Sequence, residues 1–269
     1  MAGRIICQPL EIWDIQSVGI SMSFVNTKAI VIRAFDTGEG DRAITLIAKG
    51  IGKINVYAGG VRKTKSKNSA GTDIFAYSDF NLYVQSGKYR LNSAELIESF
   101  YNLRNDIFAI TYASHLAEIM GDMVQEEQQA DDMLLLFLCA LYMLAEGAEP
   151  ELVGACFEFK MACLNGFIPE ITACRDCGVK LTDAPYYFDL DEYSVMCKDC
   201  GGQSMRLIPI GEGCLRALKY VATCDIRKTY KFTLDDVSKK QFINLSRRII
   251  QKVNEREYHK LDYLDKLRD

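Results

Sequence analysis

The residues with the clearest chemistry are four cysteines in two pairs, Cys174 and Cys177 in C-R-D-C-G and Cys197 and Cys200 in C-K-D-C-G, with nineteen residues between the inner two. Two residues inside each pair let a tight turn aim both sulfurs at one ion. The glycine after each pair, Gly178 and Gly201, supplies a permissive backbone as the chain leaves the site. Two such knuckles facing each other make a tetrahedral four-thiolate site, and the spacing belongs to the class read as zinc; iron is the lesser alternative, since thiolates bind it too. Two disulfides would need an oxidising compartment, and no segment reads as an export signal. Four protein thiolates leave no position for water or substrate, so one structural Zn2+ is expected to fold a small domain and do no chemistry.

No other constellation nominates an active site. Neither His115 nor His259 sits in the H-x-E element of a zinc deaminase, and no proline precedes Cys174 or Cys197. The phosphate loop G-x-x-x-x-G-K-[ST], G-x-S-x-G and H-E-x-x-H are all absent from the sequence. His115 lies in a helical pattern and reads as a packed or surface histidine. Cys139, Cys156 and Cys163 lie among apolar neighbours on helical segments and read as buried thiols. The expectation is a protein that is not an enzyme and takes no small-molecule substrate.

The second concentration of chemistry is positive charge. Arg62, Lys63, Lys65 and Lys67 fall within six residues, and seven basic residues but no acid lie between Asp41 and Asp73. On a small barrel such a run favours phosphate binding, because these barrels hold single strands with a basic groove and aromatic stacking platforms. As a bare run it is equally a solvated loop. Phe35, Tyr57, Tyr77, Tyr83 and Tyr89 are available for stacking, although each is expected in the core, since strands bury one face.

The elements that must position these residues follow from periodicity. Residues 28–35, 42–49, 53–60, 75–85 and 88–97 are strand-like and separated by glycine-bearing turns, which suits a five-stranded barrel; the pattern alone leaves open an OB-fold or an SH3-like barrel. Helical periods follow at 106–120, 133–145 and 150–164, then short strands at 186–190 and 194–196 inside the cysteine module, then helices at 211–223 and 235–257. The fold class is therefore α+β and multidomain. The boundaries are a loose extension over 1–22, a barrel over 23–100, a helical part over 101–173, a zinc ribbon over 174–207 and a second helical part over 208–269.

Net charge of −4 conceals a division: +4 over 23–100, −10 over 101–173, −2 over 174–209 and +5 over 210–269. An acidic middle between basic ends suggests a polyanion partner for the ends. In the last helix Lys239, Lys240, Arg247, Arg248 and Lys252 face away from an apolar stripe. The most apolar run, 133–145, is well short of the ~20 residues that span a bilayer. No membrane association is expected.

Local sequence extends this reading. The segments A-I-V-I-R-A-F-D-T-G-E-G-D-R (29–42), G-V-R-K-T-K-S-K (60–67), A-E-L-I-E-S-F-Y-N-L-R (94–104), Y-A-S-H-L-A-E (112–118) and the four cysteines resemble the bacterial recombination mediator family RecO, over about residues 24–260. The resemblance implies that the barrel is an OB-fold. It implies a cytoplasmic, nucleoid-associated protein that binds single- and double-stranded DNA, anneals complementary strands, and works with RecR and the C-terminal tail of single-strand-binding protein to load RecA. It implies DNA contact at Arg42, Lys53, Arg62, Lys63, Lys65 and Lys67, metal ligation at Cys174, Cys177, Cys197 and Cys200, and a basic-rimmed apolar pocket for the tail in the helical part. Where the family pattern has glycines ahead of the third cysteine, this chain has Glu192, Tyr193 and Ser194. The alternative is a zinc-ribbon scaffold whose basic loop touches no DNA.

Overall fold

The computed structural model describes residues 23–202, 204 and 206–265. The segment 1–22, read above as a loose extension, lies outside them. Two compact units divide between Ser99 and Phe100.

The first unit is a closed barrel of β1 (Ser23–Thr37), β2 (Asp41–Ala48), β3 (Gly52–Ala58), β4 (Tyr77–Gln85) and β5 (Lys88–Glu98), in the order β1-β2-β3-β5-β4. β1 is long enough to serve two neighbours, pairing with β4 through its first half and with β2 through its second. A simple meander would pair β3 with β4. Instead β3 runs parallel to β5 through two register pairs, Val56 with Tyr89 and Tyr57 with Arg90. That crossover is the Greek-key closure of an OB-fold, which alternation in the sequence leaves undecided.

Alternation fills the barrel. Ile44 and Leu46 from β2, Ile54 and Val56 from β3, and Phe80 and Leu82 from β4 point inward with Ala29 and Val31. A bulge between Val31 and Arg33 shifts the phase of β1, so that Ala34 packs on the core and Phe35 faces out. In the β3–β4 connection Gly71 fits where a Cβ would lie 2.9 Å from that of Ala94, and its carbonyl accepts from Ser78 Oγ at 3.0 Å.

The second unit is helical, with α1 (Ile107–Met123), α2 (Asp131–Ala145), α3 (Pro150–Leu164), α5 (Glu212–Thr223), α6 (Asp236–Asn254) and α7 (Asp262–Asp265). Between α3 and α5 lie β6 (Tyr186–Asp189), β7 (Ser194–Met196), α4 (Lys198–Gly201) and β8 (Ile208–Ile210), the three strands ordered β7-β6-β8. The Asp106 carboxylate accepts from the N–H groups of Phe108 and Ala109, and that of Asp235 from Val237 and Ser238, so an acid caps each of the two longest helices. α2 begins at Asp131, inside the acidic pair that its apolar run follows.

α3 is the central helix, buried continuously from Val153 to Cys163, including two charged residues. Glu158 meets the Nε2 atom of His115 at 2.7 Å, with both side chains buried, so of the packed and surface placements open for His115 the packed one holds. Lys160 donates from Nζ to the carbonyls of Val221, Ala222 and Cys224 at 2.9, 3.2 and 2.9 Å, closing the C-terminal end of α5. Gly154 lets α1 and α3 approach: a Cβ there would lie 2.6 Å from the Tyr112 ring.

Candidate metal centre and nucleic-acid interface

The two cysteine knuckles are built from short local hydrogen bonds. In the first, Cys174 N–H donates to Val179 O at 2.8 Å and Gly178 N–H to Cys174 O at 2.9 Å, with Gly178 at a φ of +70°. In the second, Cys197 precedes α4 and Gly201 N–H returns to Cys197 O at 2.9 Å. Gly201 serves close packing rather than an unusual dihedral, since a Cβ there would stand 2.6 Å from that of Tyr187. Arg175 N–H donates to Val195 O, tying the first knuckle to β7. At the β6–β7 turn Tyr193 takes the left-handed conformation at a φ of +46° and its ring packs on Phe167 at 5.6 Å.

All four sulfurs lie within 4.8 Å of one another. The Cys177 and Cys197 sulfurs are 3.8 Å apart. A disulfide would bring them to ~2.05 Å, whereas tetrahedral thiolates on a ~2.3 Å metal bond are about 3.8 Å apart. Burial pushes the Cys174 thiol up, but the N–H groups of Cys177, Cys197 and Asp176 outweigh it and bring the thiol down to about 6. Hydrogen bonds with Cys177, Cys197 and Cys174 hold the Cys200 thiol up. Four crowded sulfurs ionise together only when a cation shares their charge, so this donor set fits a soft metal ion. Cys156, Cys163 and Cys214 are buried elsewhere, their thiols raised by desolvation.

The basic residues gather at one end of the barrel. The loop after β3 folds against the β1–β2 turn, with Arg62 N–H donating to Gly40 O and its guanidinium to Gly38 O at 3.2 Å. Arg62, Lys63, Lys65 and Lys67 are exposed there. Arg42 is largely covered and held between Asp36 at 3.1 Å and Asp73 at 2.6 Å; Arg62 also reaches Asp36. Lys53 lies on β3 opposite Ile47, half-buried, away from this loop end of the strand.

The aromatics divide differently from their expected burial. Phe35 and Tyr57 are 62% and 41% exposed, Tyr77 and Tyr83 are half-buried, and Tyr89 packs on the core. Tyr57 donates its hydroxyl to Asp41, whose other oxygen accepts from Gly60 N–H at 2.7 Å. These bonds, with the charge of Lys63, hold the Asp41 carboxyl below its ordinary range. Arg90, which carries no distinguishing pattern in the sequence, lies over the Tyr57 ring at 5.3 Å.

In the helical unit the basic face of α6 is divided. Lys239 pairs with Glu149 at 3.0 Å and Lys252 with Asp191, while beyond the helix Arg256 bridges Glu118 and Asp122. Much of the basic end is thus spent on the acidic middle. Lys240, Arg247 and Arg248 instead rim a cavity of about 400 Å³ whose walls include Tyr112, Ile243, Leu261 and Leu264. No described helix is long and apolar enough to cross a membrane.

Comparison with known proteins adds to this geometry. Residues 22–100 match the family described as recombination protein O N terminal, and residues 104–262 match recombination protein O C terminal. The chain is 34% identical over 247 residues to the DNA repair protein RecO of Acetivibrio thermocellus, covering 91% of this chain and 98% of that one. It is 30% identical to that of Caldicellulosiruptor saccharolyticus, over 79% of this chain and 86% of the relative. With that of Alkaliphilus metalliredigens it shares 31% identity, over 78% and 86% respectively.

Proposed function

This chain belongs to the RecO family of DNA repair proteins, and on that premise we propose that it is a non-enzymatic mediator that binds and anneals DNA strands in the bacterial cytoplasm, at the nucleoid. With RecR it helps load RecA onto strands coated with single-strand-binding protein. The observation that carries the reading is the convergence of exposed Arg62, Lys63, Lys65 and Lys67 with exposed Tyr57 and Phe35 on an OB barrel, whose strands 2–3 face and adjoining loops serve oligonucleotides in other proteins of this architecture. The loop residues and Lys53 contact phosphates, backed by Arg42 from its place between two acids. Annealing brings two polyanions together, and basic surfaces lower their repulsion without nucleotide hydrolysis. Phosphate contacts position a strand without reading it, so sequence preference is weak.

Cys174, Cys177, Cys197 and Cys200 hold one Zn2+, which folds the ribbon and leaves no open position for catalysis. The α6 cavity suits the C-terminal tail of single-strand-binding protein: an apolar floor for hydrophobic side chains and a rim of Lys240, Arg247 and Arg248 for carboxylates.

Salt-dependent binding to an unstructured oligonucleotide tests the reading. Replacing Arg62, Lys63, Lys65 and Lys67 together by alanine is expected to weaken binding and to flatten the log–log salt slope by up to about 3, at ~0.7 per phosphate contact on a single strand. A scaffold whose loop only aids solubility, a role to which the pairing of Arg42 and Arg62 with acids lends some support, predicts an unchanged slope.

A further inference from the structure

The outward side chains of the barrel form one continuous row. Phe35 of β1 pairs with Ala43 of β2, Ala43 with Tyr57 of β3, Tyr57 with Arg90 of β5, Arg90 with Tyr83 of β4, and Tyr83 with Phe24 of β1. The row therefore winds across all five strands and returns to the strand it left. The Arg90 guanidinium lies 5.3 Å from the Tyr57 ring centre, and the Tyr83 and Phe24 rings are 6.3 Å apart. Phe24 is 58% exposed, a large apolar ring left in water on a strand whose next outward residue, Asn26, is polar.

We propose that this row, Phe35–Tyr57–Arg90–Tyr83–Phe24, is the base-stacking track for an unpaired DNA strand, running from the basic loop across the β3·β5 seam onto β4 and β1. The inference rests on the DNA-binding reading and names which form of DNA this surface takes. Neighbouring strands advance about 4.8 Å, more than the ~3.4 Å rise of stacked bases, so bases on this row part from one another and stack on protein instead. A duplex has no free base faces to offer; a single strand does, whatever its sequence. The charge needed to hold its phosphates lies alongside, in Arg90 within the row and in Lys63 beside Asp41. The acids nearest the track are engaged: Asp41 by Tyr57 and Gly60, and Asp36 by Arg42 and Arg62.

The test uses the full chain with two probes, a homothymine oligonucleotide and a blunt duplex of equal length, in fluorescence anisotropy. Phe24→Ala and Tyr83→Ala are each expected to weaken single-strand binding about tenfold, leaving duplex affinity and the salt slope at wild-type values. Phe24→Trp and Tyr83→Trp keep a stacking ring, so they retain affinity, and their indole emission is quenched when the single strand is added. Melting temperatures near wild type exclude misfolding. Unchanged single-strand affinity in the alanine variants overturns the track, as does an equal loss on both probes or an indole that the strand does not quench. If the alanine variants bind normally while the Arg62, Lys63, Lys65 and Lys67 quadruple variant loses both probes, the track falls and the DNA-binding reading stands. If every variant binds normally, both fall.

Discussion

Lys160 is the one cation on α3, and its three bonds go to carbonyls at the end of α5, of which Val221 O is also met by the weak thiol donor of Cys224 at 3.8 Å. Removing it costs all three carbonyls their charged donor. Lys160→Ala is expected to cost about 3 kcal/mol in urea unfolding, from the loss of hydrogen bonds to a charged group. The cysteine quartet makes a different kind of single-residue prediction. Purified without added metal, the protein is expected to carry one zinc per chain by elemental analysis, and Cys174→Ser to lose it and to lower stability more than DNA affinity. The Cys174 thiol is depressed from its ordinary value of 9.0 to about 6, so the stabilisation of its thiolate is present in full above the ordinary value and lost as pH falls through the lower one. Protons and metal compete for the same sulfurs. Metal release, followed with a chromogenic chelator, is therefore expected to accelerate as pH falls; release independent of pH, or free thiols at all four positions, would remove the site.

Among the elements, α3 depends on close approach. Gly154→Ala places a methyl 2.6 Å from the Tyr112 ring and is expected to cost about 1–3 kcal/mol of stability as α1 is forced away. How much of these elements was legible in the sequence depended on how local each signal was. The cysteine knuckles, the Pro150 start of α3 and the five strands rest on short spacings and were readable directly. The outward direction of Tyr57 was readable too, since Ile54, Val56 and Ala58 alternate with it, yet the general tendency of strand aromatics to be buried pointed the other way. Phe35 was not readable. Counting by twos from Val31 puts it in the core, and only the bulge before Arg33 turns it out. Arg90 gains its place from a parallel pairing with a strand about thirty residues away in sequence, and the α6 cavity from α1, α3, α6 and the C-terminal residues together. Neither leaves a mark in any one segment.

Across the whole molecule, the charge division visible in the sequence has two meanings. In the helical unit much of it is internal, with Arg256 and Lys260 answering Glu118 and Asp122, which leaves three cations around the cavity. On the barrel the loop lysines remain outward. Strands coated with single-strand-binding protein probe both surfaces at once: annealing is expected to fail with the quadruple loop variant even on bare strands, and with Arg247→Ala and Arg248→Ala combined only on coated ones. The two-pair β3·β5 closure has a kinetic consequence. β1 and β2 hold each other through eight register pairs, whereas the barrel is fastened at β3 and β5 by two. That fastening is a clasp, and a clasp is where a ring opens. In hydrogen–deuterium exchange the amides of Tyr57 and Tyr89 are expected to exchange ahead of those in the β1–β2 ladder, and a strand lying across Tyr57 and Arg90 would slow them, so that the barrel is latched most firmly while it carries DNA.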